Sequence, residues 1–144
     1  MNQIPPQTQS PGRFSGQPPL FWVAVASCVL LIIGGFGPWA SAFRGIASVN
    51  GTEGDGWFAI IGGALALGLL FLAAGRQKAR HTIGLLAIAA ICALVFAVDY
   101  SDISDKGPII DVEWGLWAVL IGAIGLAGST VGLLVTRREP QPVT

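Results

Sequence analysis

The sequence predicts an all-α membrane protein: a bundle of four transmembrane helices with both termini in the cytoplasm. Three observations predict it. Hydrophobic residues make up 53% of the 144 and charged residues only 11%, well under the roughly 25% of a water-facing domain. The charges are missing from four long apolar stretches, each near the length of about 20 helical residues that crosses a hydrocarbon core about 30 Å thick. The basic residues, finally, collect in alternate connections between those stretches. Mean hydropathy is +0.68.

The elements follow in order. Residues 1–19 are rich in Pro, Gln, Ser and Gly and too poor in apolar residues to offset chain entropy, which predicts a disordered cytoplasmic leader. A proline-rich docking ligand at Pro5-Pro6 or Pro18-Pro19 is the less favoured reading. The first span, 20–40, reads LFWVAVASCVLLIIGGFGPWA, and the second, 57–74, reads WFAIIGGALALGLLFLAA. The third, 83–98, is the shortest (IGLLAIAAICALVFAV) and draws on Thr82 and Tyr100 at its ends. The fourth, 114–135, reads WGLWAVLIGAIGLAGSTVGLLV. Together they form one bundle over 20–136, and 137–144 is a cytoplasmic tail. None of the four contains an internal Asp, Glu, Lys, Arg or His. Backbone groups in lipid must bond within their own segment, which makes these spans helices. The period-two alternation of a membrane-barrel strand is missing.

Orientation follows from the basic residues. Arg13 precedes the first span, Arg76, Lys78 and Arg80 lie between the second and third, and Arg137 and Arg138 follow the fourth. The other two connections hold only Arg44 and Lys106. The positive-inside rule therefore puts both termini and the RQKARHT loop in the cytoplasm. Seven acidic residues then fall outside and only Glu139 inside. A rival topology would cleave the chain after Ala42, because Ala40-Ser41-Ala42 resembles a small-residue signal-peptidase site. The long apolar run, the weakly charged leader and the adjacent Pro38-Trp39 argue against it.

The stretch GTEGDGW, 51–57, gathers three glycines and two carboxylates in the first external loop. Its glycines suit positive φ and a tight turn. Asp55 is placed to cap the second span, and Glu113 the fourth, because a helix N-terminus favours a carboxylate. Trp39, Trp57, Trp114 and Trp117 read as anchors at the membrane interface, where Trp is enriched. Glu53 and Asp55, with Asp99, Asp102 and Asp105 of DYSDISD, are weak candidates for a cation site. Calcium needs six to eight oxygens in a defined loop, and the spacing does not supply them, so a solvated acidic face is favoured.

Without a hydrophobic drive in lipid, helices associate through small residues that let backbones approach. The packing candidates are Gly62 with Ala66, Ala89 with Ala93 and Ala97, Ala118 with Gly122, and Gly128 with Gly132; Ala64 with Gly68 is a further pair. Packing within the chain is favoured over a seam with a partner. Cys28 and Cys92 lie at similar depths, where free cysteines behave as small apolar residues. His81 has no Cys, Glu or second His at ligand spacing. Ser129 and Thr130 can bond back to their own helix carbonyls. Asn50-Gly51-Thr52 fits a glycosylation sequon, which matters only in a eukaryotic secretory pathway.

A weak internal match relates the two hairpins. Gly56, Ala59, Gly63, Ala64 and Leu67 align with Gly115, Ala118, Gly122, Ala123 and Leu126 at one constant offset, as a parallel repeat about an axis along the membrane normal would require. Gly, Ala and Leu dominate any span, so such identities arise easily by chance.

The leader rich in Pro and Gln, a first span ending in GPWA, the GTEGDGW loop and a last span opening with WGLW together resemble small, uncharacterised four-span membrane proteins of actinobacteria and their temperate phages. The resemblance covers roughly 20–138 and implies a bacterial cytoplasmic membrane; it brings no functional residues. The residues themselves show no nucleophile–base pair, metal cluster or phosphate cradle. The expectation is a non-catalytic accessory or interaction protein without cofactor or metal, in contact with the bilayer and with another membrane protein or itself. Zero net charge argues against nucleic acid as a partner. Two alternatives stand beside it: a small homo-oligomeric channel or transport component, and a prophage-type protein that excludes superinfecting phage.

Overall fold

Pro38 decides where the first helix stops. In a computed structural model of the chain, described over residues 17–42, 47–73, 79–106 and 110–136, helix α1 covers Pro19–Phe36 and not the whole predicted span. Gly37 caps it, donating its N–H to the carbonyls of Ile33 at 3.0 Å and Gly34 at 3.2 Å. A residue before proline is pushed out of the helical region, and Gly37 is extended, with φ −69° and ψ 166°. The chain then enters strand β1, Pro38–Ala42.

Strand β2, Ala47–Asn50, returns antiparallel to β1 and leads through a short 3-10 turn, Gly51–Glu53, into helix α2, Gly56–Ala73. Helix α3 covers Ala79–Asp105, strand β3 Ile110–Val112 and helix α4 Trp114–Thr136. β3 pairs antiparallel with the other edge of β1, so the sheet order is β2-β1-β3. The molecule is therefore mostly helical with a small sheet, which corrects the all-α expectation. The Ala40-Ser41-Ala42 tripeptide lies in the central strand, paired on both sides.

All four helices are long and apolar enough to cross a membrane. The third span is the second correction. Expected to be the shortest, it is the longest helix, with 27 residues, or about 40 Å at 1.5 Å per residue. DYSDISD forms its last turns instead of a loop. Lys106 holds Asp102 one turn back at 2.6 Å, and Phe96 stacks on Tyr100 with ring centroids 5.5 Å apart. Trp117 of α4 packs against both rings and ties α3 to α4.

The bundle is up-and-down. α1 lies between α2 and α4, and α3 closes the ring against the same two. The C-terminal ends of α1 and α3 and the N-terminal ends of α2 and α4 meet at the sheet, which forms a cap over that end. Buried positions recur at helical spacing: Phe21, Ala24, Cys28 and Leu31 on α1; Leu85, Ala89 and Cys92 on α3; Leu116, Val119, Ala123 and Leu126 on α4. The outer faces are also apolar, with Leu72 74% and Ile83 67% exposed. An apolar exterior of this extent suits lipid and would be a liability in water. The predicted leader up to residue 16 and the tail, 137–144, lie outside the described residues, as do the first three residues of the RQKARHT loop, whose last four begin α3.

Candidate functional site

The cap is organised around Trp39. The register of β1 against β2 slips between Pro38 and Ala40, and a bulge of this kind re-aims a side chain. The indole is 4% exposed and donates its Nε1–H to the Gly34 carbonyl at 2.9 Å, a second donor beside the Gly37 N–H for a carbonyl at the end of α1. Trp39 is thus a buried plug, and its predicted role as an interfacial anchor is corrected. The other three predicted anchors stay half-exposed, and Trp57 donates to the Thr52 carbonyl at 3.0 Å.

Trp39 also explains GTEGDGW. A Cβ on Gly51 would lie 2.7 Å from the indole Cε2, and one on Gly56 would lie 2.8 Å from the Gly35 carbonyl oxygen. None of the three glycines there has the positive φ expected of them. Gly51 and Gly56 are needed for space, whereas a Cβ on Gly54 would lie 3.9 Å from the Gly51 carbonyl oxygen. The carboxylate caps also differ from expectation. Asp55 offers its backbone carbonyl to the Phe58 N–H at 3.0 Å, while its side chain is within electrostatic reach of Asp99. Glu113 accepts from the buried Ser41 hydroxyl at 2.5 Å, and its N–H donates to the Trp39 carbonyl at 2.9 Å. Those two bonds fasten the start of α4 to β1.

Between the sheet and the end of α3 lies a cavity of about 290 Å³, bordered by Trp39, Val49, Asp99, Asp102, Ile103 and Ile110 among others. Of the candidate cation ligands, the fold brings Asp99 and Asp102 to this cavity; Glu53 is exposed elsewhere, and Asp105 faces outward beyond the wall. Among the described residues no group of three or more His, Cys, Asp or Glu is placed to hold a metal ion.

No known protein family, curated protein or solved structure matches this chain.

The helix-packing candidates divide into two sets. Gly122 meets α1, where an added Cβ would lie 3.0 Å from the Ser27 carbonyl oxygen. Gly62 faces Cys92 and Ile88 of α3, Gly132 faces Leu20, and Ala66, Ala89 and Ala118 are buried. Ala93 is half-buried, Ala97 is exposed, and nothing lies within 4 Å of an added Cβ on Gly128 or Gly68. Sequence reasoning did not select three close backbone contacts: Gly34 against Gly115, Gly35 against Gly56, and Gly63 against the Cys28 carbonyl. The available signal was the GGFG end of the first span lying opposite the glycine that opens each returning helix. Cys28 and Cys92 are buried free thiols on either side of the Gly62-Gly63 pair. Ser129 and Thr130 donate to the Gly125 and Leu126 carbonyls at 2.7 and 2.6 Å, in agreement with expectation.

Proposed function

We propose that this chain is a non-catalytic, multi-pass accessory protein of a bacterial cytoplasmic membrane, with both termini inside and the cap outside, that works by docking on a larger membrane protein. The observation that carries the reading is the second set of small residues. Gly68 on α2, Ala97 on α3 and Gly128 on α4 are exposed, and among the described residues nothing packs within 4 Å of a Cβ placed on Gly68 or Gly128; small residues on a lipid-facing surface let another helix come close. The six-to-two distribution of basic residues supports the orientation. The resemblance to small four-span proteins of actinobacteria and their phages supports the compartment.

The paired contacts of α1 favour relating the two hairpins as a parallel repeat. Gly56 and Gly115 hold matching places in the alignment, as do Gly63 and Gly122, and all four meet α1 or the glycines at its end. On this reading α2 and α4 are equivalent elements on opposite sides of α1.

The experiment is affinity capture through a C-terminal tag from native membranes in polymer discs, with mass spectrometry of what accompanies the protein. A stoichiometric membrane partner is expected, lost in Gly128→Leu while the variant's thermal stability does not fall below that of the native chain. Gly122→Leu is the wrong probe, because Gly122 is used inside the bundle. Protein that arrives alone as a discrete oligomer would move the reading to a homo-oligomeric channel, to be tested by ion flux in liposomes. Altered phage plating on expressing cells, without a host partner, would favour the exclusion reading.

A further inference from the structure

The cavity beneath the cap has an unbalanced wall. Its surface is chiefly apolar, formed by Trp39, Ala40, Val49, Ile103 and Ile110, yet Asp99 is set into it. The Asp99 Oδ2 is shut away from solvent and has no hydrogen-bond donor among the described residues. A buried acceptor in that condition is unfavourable, and more so when it carries charge. The Lys106 ammonium, also on the cavity wall, attracts Asp99 but does not reach its Oδ2. The Asp102 Oδ2 is taken by the Lys106 ammonium at 2.6 Å, and Asp55 adds a further carboxylate within electrostatic reach. Two carboxylates, Asp99 and Asp102, and one ammonium thus line a cavity of about 290 Å³, close to the lower limit of small-molecule sites.

The chemistry that fits is narrow. A bare calcium ion would want six to eight oxygens, and the walls are mostly hydrocarbon. An anion would meet the wrong charge. A neutral apolar molecule would leave Asp99 as it is. An ammonium on a short apolar body satisfies both features, donating N–H to Oδ2 and resting its carbons against the sheet and Ile103. We propose that this pocket binds a small organic ammonium group, carried by a free amine or by an aminophospholipid headgroup, with Asp99 as its counter-ion.

The test uses the full chain in discs of phosphatidylglycerol alone, labelled with 5-fluorotryptophan. The Trp39 fluorine resonance is assigned by elimination, using Phe variants of the exposed Trp22, Trp57, Trp114 and Trp117. Titration with n-butylammonium is expected to shift that resonance saturably, with affinity at least tenfold above that of n-butanol. Asp99→Asn is expected to lower the affinity at least tenfold, while Asp105→Asn, outside the wall, changes it less than twofold. Equal titration by butylammonium and butanol on the native chain would overturn the proposal, whether or not the Asp99 variant folds. So would native affinity in a folded Asp99→Asn. Replacing half the lipid with phosphatidylethanolamine separates the two sources: weakened butylammonium binding identifies the headgroup as an occupant, and unchanged binding assigns the site to a free amine.

Discussion

The two seams of α1 and the seam between α2 and α3 are built differently. Along α1 the backbones themselves approach: Gly63 faces the Cys28 carbonyl and Gly122 the Ser27 carbonyl, with the Ile32 and Leu31 side chains beside them. Between α2 and α3 side chains intervene, and Gly62 meets the Cys92 sulfur and the Ile88 methyl group. An apolar groove of about 250 Å³ remains there, bordered by Phe58, Ile61, Leu65 and Ile91. The difference shows where shape is fixed. A backbone cannot withdraw without moving a helix, whereas a sulfur or a methyl group can rotate. α1 is therefore the rigid axis of the bundle, and α3 is held by adaptable contacts.

Substitutions at glycine break or sharpen this contrast, in falling order of effect. Gly63→Leu and Gly122→Leu are expected to separate α1 from its neighbours, at a cost above about 3 kcal/mol, since overpacking of 1–3 kcal/mol assumes some relief. Loss of a monodisperse peak in mild detergent reads this out. Gly63→Ala puts a methyl 2.8 Å from the Cys28 carbonyl oxygen and is expected to cost about 2 kcal/mol in a reversible detergent-unfolding titration. Gly62→Ala meets only side-chain atoms at 3.1 and 3.2 Å, so the same titration should show a loss of about 1 kcal/mol or less. Gly128→Ala meets nothing within 4 Å. It should raise stability by up to about 1 kcal/mol, the helix-propensity difference. Equal effects at Gly62 and Gly63 would erase the distinction between the seams.

The four spans were legible because apolar length is a local property that survives any arrangement of neighbours. The cap was not. Its strands have only three to five residues, and PWASA reads equally well as the end of an apolar helix. Trp39 shows the limit most plainly. A tryptophan at the end of a span is usually an interface anchor, and its burial depends on a strand bulge together with space left at Gly51, which adjoins it only in the folded chain. Asp99 was legible as a carboxylate beyond a span. The cavity beside it exists only because α3 continues to Asp105 and carries it under the sheet.

The strand order also sets a timetable. β1 and β2 belong to the first hairpin and can pair as soon as α2 has left the ribosome, but the second edge of β1 must wait for β3, which is made only after α3. At a synthesis rate of about 5–20 residues per second, that edge stays open for seconds in a half-inserted chain. An open strand edge invites pairing with another chain. The vulnerable species in biogenesis is accordingly the two-helix intermediate, and β3 is the piece that ends its exposure.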